Sequence, residues 1–336
     1  MPIKAIIPVA GVGTRLRPHT YTQPKPLIPV AGKPIIAFTI EQLIEQGIDD
    51  FVFVIGYLGE KIRFFVESRY PNIRKTFVEQ HQREGLGHAI WMARDAIRDA
   101  NEVFIVLGDT IFDVDYELYL ANEHSCVGIK KVDDPRLFGV AEITDDGIVT
   151  RLVEKPRIPK TNLALVGLYK IKEVDILLSA LDHLVKNDEK TLGEYQLTDA
   201  LMRMVEMGIH FDTLPVNNWY DCGKKDVLLE TNATLLKSSS YASEDLPPYD
   251  NSIINHPVSI GKNCKISNSI IGPNVTIGDN ASIHLSIVND SIIGNFASIE
   301  EIVLQHAVIG NDTSITGIRH SLSIGDNTEI DFSWQA

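Results

Sequence analysis

Apolar positions in the first 130 residues fall into two textures. Short runs with almost no polar interruption, at residues 5–9, 51–55, 76–78 and 103–107, predict buried strands. Between them, residues 34–46, 59–68 and 87–97 carry apolar side chains at helical spacing and predict amphipathic helices. Such alternation implies βαβ units and a mostly parallel sheet, with ligands outside the carboxyl ends of the strands. Gly11, Gly56 and Asp109 fall at those ends. From about residue 127 to 170 several strands follow, with turns at Asp145-Asp146-Gly147 and at 155–159, and then helices near 173–186, 196–207 and 224–237. The sheet is expected to be mixed in this half.

Residues 238–250, SSSYASEDLPPYD, are polar, proline-bearing and without period, as a linker would be. The domains are accordingly read as 1–238 and 251–336, joined by 239–250. In the tail, Ile260-Gly261, Ile271-Gly272, Ile277-Gly278, Ile293-Gly294, Ile309-Gly310 and Ile324-Gly325 each open a six-residue unit. Four places on stand Cys264, Val275, Ala281, Ala297, Thr313 and Thr328, all small or β-branched. Repeats that cannot bury a face alone stack, so a parallel β-helix is predicted.

A length of 336 residues fits two domains, and 44% apolar with 23% charged residues fits a globular chain with a sizeable core. The formal net charge of −14 argues against nucleic-acid polymers and anionic membranes as partners. An anionic ligand must then meet local positive charge, which Arg15, Arg17, Lys25 and Lys33 supply. Cys126, Cys222 and Cys264 are far apart with no CxxC pair, which predicts reduced thiols rather than a disulfide framework or zinc knuckle. The first strand starts almost at once and no stretch approaches membrane-spanning length, so a cytoplasmic location is expected.

The candidate chemistry is concentrated in AIIPVAGVGTRLRPHTYTQPKP, residues 5–26. An apolar strand runs into Gly11 and Gly13, where the backbone can bend to turn successive N–H groups toward an anion. Arg15 adds a planar forked cation, and Lys25, between Pro24 and Pro26, adds a point charge on a stiffened segment. The GxxxxGK[ST] phosphate loop is absent, and a dinucleotide fingerprint would need glycine or alanine where Leu16 stands. A glycine pair after a strand is also an ordinary tight turn; the two fixed cations make it a polyphosphate site. VFIVLGD ends a second strand with Asp109 where phosphates should lie.

GVGTRLRPHT followed by PKPLIPVAGKPII resembles the signature of the sugar-1-phosphate nucleotidyltransferases, the nucleoside-diphosphate-sugar pyrophosphorylases, over about the first 240 residues. The nearest likeness is to thymidylyl- and uridylyltransferases acting on glucose 1-phosphate. The resemblance implies a Rossmann-like α/β domain with a mixed, mostly parallel sheet, and the tail resembles the left-handed parallel β-helix of hexapeptide-repeat proteins. It implies Arg15 and Lys25 as catalytic residues and Ala10, Gly11, Gly13, Thr14, Gln80, Gly85 and Gly108 as nucleotide contacts. Gly139, Glu154 and Lys155 (of VEKP), Gly167 and Glu194 would contact the sugar phosphate, and Asp109 with Asp221 would hold Mg²⁺. Asp113 and Asp115 rank behind Asp109. Gln80 has an amide that both donates and accepts toward a pyrimidine edge; His88 is read as a capping or packing residue before a general base.

The implied reaction joins a nucleoside triphosphate and a sugar 1-phosphate to give a nucleoside-diphosphate sugar and pyrophosphate. dTTP or UTP with glucose 1-phosphate is favoured, and GTP with mannose 1-phosphate is the alternative. A non-catalytic regulatory subunit is a contrasting reading, opposed by the joint presence of Arg15, Lys25, Asp109, Asp221 and Lys155. His256, His284, His306 and His320 keep open an acyl-transfer site in the tail, for which scaffolding, regulation or homo-oligomerisation is the preferred role.

Overall fold

The computed structural model describes residues 3–238, 240–317 and 328. The chain divides into two compact units, Met1–Ser238 and Ser239–Ala336. The first opens with β1 (Ile3–Val9), the short hairpin β2 (Pro29–Val30) and β3 (Lys33–Pro34), α1 (Ile35–Glu45), β4 (Asp50–Ile55), α2 (Gly59–Arg69), β5 (Arg74–Glu79), α3 (Leu86–Met92), α4 (Arg94–Ile97) and β6 (Glu102–Val106). It continues with β7 (Thr110–Asp113), α5 (Tyr116–Ala121), β8 (Ser125–Lys131), β9 (Gly139–Ile143), β10 (Val149–Glu154) and β11 (Leu163–Ile171). α6 (Val174–Lys186), α7 (Leu197–Glu206), β12 (Phe211–Pro215), β13 (Asn218–Asp221) and α8 (Lys225–Leu236) complete it.

Nine strands form one sheet in the order β10-β9-β11-β6-β1-β4-β5, with β8 beside β11 and β12 beside β8. β6, β1, β4 and β5 are parallel, whereas β11 runs antiparallel to β6, β8 and β9. The parallel strands read as unbroken apolar runs because alternate side chains fill cores on opposite faces. Ala5, Ile7 and Val9 of β1 join one core with α1 and α2, while Ile6 joins the other with α3, α6 and α7. From β1 the chain winds outward through β4 to β5, then returns to β6 on the other side of β1. The loops after β1 and β6 therefore diverge, and a crevice opens between them at the carboxyl edge.

The helix expected over 87–97 is instead two, α3 and α4, broken at Ala93. There the backbone tightens: Ala93 N–H donates to Ile90 O at 3.0 Å and Ala96 N–H to Ala93 O at 2.9 Å, each three residues back.

The second unit carries three parallel four-stranded sheets, the three-sided form of the expected left-handed β-helix. Val258, Ser259 and Ile260 pair with Val275, Thr276 and Ile277, and Ile266, Ile283, Ile299 and Ile315 stack in one column. The coils depart from the expected six-residue units. Side chains that link successive coils join residues 17 or 16 apart, fewer than three hexads would give. Gly261, Gly278 and Gly294 instead occupy one repeated corner: a Cβ on Gly278 would lie 2.4 Å from Asn295 Oδ1 in the next coil. The Ile-Gly period is set by that close approach. Asp279, Asn295 and Asn311 follow these corners and each accepts a backbone N–H of the preceding coil. Ile324, Gly325 and His320 lie outside the described residues.

Candidate active site

Two cavities, about 450 and 610 Å³, adjoin at the carboxyl edge of the first unit's sheet and share Arg15, Leu86, Leu107 and Asp109 in their walls. The first is lined by Ala10, Gly11, Gly13, Thr14 and Arg15 of the loop after β1, with Lys25, Gln80 and Gly85. A short 3-10 turn, Thr14–Leu16, buries Leu16 and leaves Arg15 in the wall of both cavities with 58% of its side chain exposed. A side chain added at Gly11 would meet no protein atom within 4 Å, and Gly11 lines the first cavity.

Lys25 is the electrostatic centre. It is 4% exposed, and its Nζ donates to Asp109 Oδ2 at 2.6 Å and to Asp221 Oδ1 at 3.2 Å. Arg15 Nη2 stands 3.6 Å from Asp221 Oδ2. Burial acts to lower the Lys25 pKa, but the charges of Asp109 and Asp221 outweigh it and the ammonium is held above its ordinary value. Asp109 behaves in mirror image: desolvation would raise it, yet Lys25 holds it below the usual carboxylate range. β13 pairs with β7, register Asp221↔Thr110, and this brings an acid 112 positions along the chain beside Asp109.

Gln80 follows β5 and is buried; its Nε2 donates to Gly85 O at 3.1 Å and meets His88 Nδ1 at 3.0 Å. His88 lies between Trp91 and Tyr195 with ring centroids 5.7 and 6.1 Å away, so it packs, as the sequence implied, and its contact with Gln80 orients that amide. Burial, outweighing Glu84, lowers its pKa. Gly85 has φ +106°, and a Cβ there would lie 2.6 Å from Tyr195 O; only glycine fits this approach at the start of α3.

The second cavity is lined by Gly139, Glu154, Lys155 and Gly167, with Asp221 at its junction with the first. Lys155 takes a left-handed φ of 40° after β10, and its Nζ is 3.4 Å from Glu154 Oε1. Thr198 Oγ1 donates to Glu154 Oε2 at 2.7 Å and fixes that carboxylate from α7. Gly167 sits where the β11–β8 register shifts, packed on Leu107.

Two residues fall elsewhere than expected. Glu194 lines the first cavity rather than the second, because the segment before α7 folds back over Gly85. Gly108 is in neither wall; it allows the chain after β6 to pass against Val9 and Ile7. Arg17 stacks on Tyr21, and Lys33 pairs with Glu41 at 2.6 Å, so neither joins these cavity walls. Asp113 accepts from Asn218 and Asp115 caps α5. Sequence reading missed Thr198, Tyr169, Trp219, Lys224 and Arg83, which line the cavities. Trp219 Nε1–H is a buried donor with no acceptor in the described chain. Its only sequence signal is its place two residues before Asp221.

Asp109 and Asp221 suit a hard divalent ion: two carboxylates converge on one point where a single cation, Lys25 Nζ, already sits. Both candidate ligands there are carboxylate oxygens.

Residues 4–238 match the nucleotidyl transferase family. The low-salt glycan biosynthesis nucleotidyltransferase of Haloferax volcanii is 32% identical over 246 residues, 71% of this chain and 67% of its own. Glucose-1-phosphate thymidylyltransferase of Streptomyces antibioticus is 33% identical over 270 residues, 77% of this chain and 72% of that one. Bifunctional protein GlmU of Methanocaldococcus jannaschii is 37% identical over 69% of this chain, and this chain spans only 54% of its length. Among solved structures, a UDP-glucose pyrophosphorylase complexed with UDP-glucose superposes with a TM-score of 0.61 and 26% identity, over 70% of this chain and 99% of the other. The matched span contains the glycine loop, Asp109, Asp221 and the lining of both cavities, and the chain belongs to the nucleotidyl transferase family.

Proposed function

We propose that the protein transfers a nucleotidyl group from dTTP or UTP to a sugar 1-phosphate, glucose 1-phosphate foremost, releasing pyrophosphate and forming a nucleoside-diphosphate sugar. The observation that carries this reading is the meeting of two cavities at Arg15 and Asp109, with Lys25 and Asp221 in contact there. One cavity offers a glycine loop and a base-facing amide; the other offers Lys155 and an anchored Glu154.

A sugar-phosphate oxygen attacks the α-phosphorus in line as the bond to the β-phosphate oxygen breaks, and pyrophosphate leaves with the electron pair. The attacking oxygen is already ionised at neutral pH, so positioning and charge neutralisation supply the catalysis. Lys155 positions the sugar phosphate, Lys25 offsets charge at the α-phosphate and Arg15 offsets it on the leaving pyrophosphate. Mg²⁺, held by Asp109 and Asp221, would neutralise further phosphate charge when bound. Gln80 spends both amide hydrogens on Gly85 O and His88 Nδ1, which makes Oε1 the atom it presents. An acceptor suits the N3–H of thymine or uracil and not the N3 lone pair of cytosine. Similar proteins named for thymidylyl transfer and for UDP-glucose support the same choice.

The second unit belongs to this reading as an assembly element. Ile253, Ile287 and Val303, in one register column, are 57%, 40% and 67% exposed, and a second copy of the chain would cover them. The substrate choice is tested by product formation with Mg²⁺ over five nucleoside triphosphates, each paired with glucose, galactose, mannose and N-acetylglucosamine 1-phosphates. dTTP or UTP with glucose 1-phosphate should give the highest kcat/KM. Preference for GTP with mannose 1-phosphate would overturn it.

A further inference from the structure

We propose that His124, His210 and Asp212 form a second metal site, for a divalent transition ion of the zinc class, at the sheet edge opposite the cleft. The topology creates it. β8 and β12 are parallel with Ser125 beside Phe211 and Cys126 beside Asp212, so His124 and His210 stand side by side one position earlier. Residues two apart on an extended chain share a face, which brings Asp212 to the same side as His210. β8 and β6 are each antiparallel to β11 and therefore run the same way. The start of β8 thus lies at the amino edge, away from Asp109 and Asp221.

The ligand atoms already converge. His210 Nε2 is 2.7 Å from Asp212 Oδ1, His124 Nδ1 is 3.3 Å from Asp212 Oδ2, and the three donor atoms lie within 4.8 Å of one another. Zinc bonds of about 2.0–2.2 Å in tetrahedral geometry place ligand atoms about 3.3–3.6 Å apart, so rotamer-scale adjustment closes the site. The turn that carries His124 is fixed by its backbone N–H, which donates to Asn122 Oδ1 at 2.8 Å. Two imidazoles with centroids 4.3 Å apart face one carboxylate. One divalent ion satisfies all three groups at once.

Donor chemistry separates this site from the cleft. Two nitrogens and one oxygen select zinc, nickel or cobalt, whereas the all-oxygen pair Asp109 and Asp221 selects a hard ion. A bound ion would tie β12 to β8 at their starts, and binding to the folded chain alone raises its stability by mass action.

The test is a Co²⁺ titration of the metal-free 336-residue protein in excess Mg²⁺, following visible d–d absorption. The wild type should bind one equivalent with the intensity of a four-coordinate, nitrogen-containing site, and zinc should bleach it. His124→Ala, His210→Ala and Asp212→Asn should each weaken binding at least about 10-fold and abolish the zinc-induced rise in melting temperature. His124→Asn serves as a milder surface variant, and far-UV circular dichroism with retained pyrophosphate release checks that each variant is folded. Absence of the absorption in the wild type, or its persistence undiminished in the folded variants, would overturn the proposal.

Discussion

Lys25 is a buried cation between two partly exposed carboxylates. It is 4% exposed, yet two carboxylates hold it ionised. Replacing it in Lys25→Met leaves Asp109 and Asp221 with only Arg15, 3.6 Å from Asp221, as counter-ion, and kcat/KM should fall about 10²–10³-fold. The depressed Asp109 pKa contributes stability above about pH 3.9, lost as pH falls through its folded value. The raised Lys25 pKa contributes below about pH 10.4, lost as pH rises through its folded value. Urea denaturation should therefore show the variant's deficit at pH 7 shrinking as the pH drops below about 4; with Asp109 41% exposed, screening keeps that deficit modest. Gly11→Ala makes a contrasting case. Its Cβ meets no protein atom, so melting should change by less than about 0.5 kcal/mol while KM for the nucleotide rises. Arg15, Lys25, Asp109 and Asp221 were legible because each stands in a short local motif. Thr198 was not, because its bond to Glu154 crosses 44 positions and exists only once α7 docks on β10.

Elements were legible where both faces of a strand are buried and hidden where a contact sets the period. β1, β4 and β6 each feed two cores, and that demands the unbroken apolar runs that announced them. The break at Ala93 left no mark in the apolar pattern, since both halves carry one stripe. In the second unit the Ile-Gly pairs were real, but their spacing follows coil-to-coil contact rather than hexads. Gly278→Ala forces a Cβ to 2.4 Å from Asn295 Oδ1 and should cost about 1–3 kcal/mol, read by chemical denaturation. At the start of α3, neutral His88 accepts from Gln80. Burial places its pKa below about 6.5, so as pH falls below that value protonation turns Nδ1 into a donor and the amide loses its orientation. KM for the nucleotide should then rise on acidification in the wild type, and the rise should be missing in His88→Asn. An identical pH profile in both proteins would contradict the assigned role of His88.

At the scale of the molecule, a chain with net charge −14 has to meet a polyanion with local positive charge. Arg15, Lys25 and Lys155 face the two adjoining cavities, while Arg17 and Lys33 are spent on Tyr21 and Glu41. The sheet order explains the place: the chain reverses across β1, and the loops that part there carry the glycines on one side and Asp109 on the other. That arrangement was predictable from alternating strands and helices, whereas the division into two adjoining cavities, proposed above as a nucleotide side and a sugar side, needed the antiparallel strands β9 to β11. The most direct measurement is ³¹P NMR of the protein with dTTP, glucose 1-phosphate and Mg²⁺. The account predicts that the triphosphate signals give way to pyrophosphate and a sugar-linked diphosphate in equal amounts, with Arg15→Ala slowed at least about 10²-fold. Unchanged spectra for dTTP and UTP alike, from folded protein that still binds nucleotide, would contradict it.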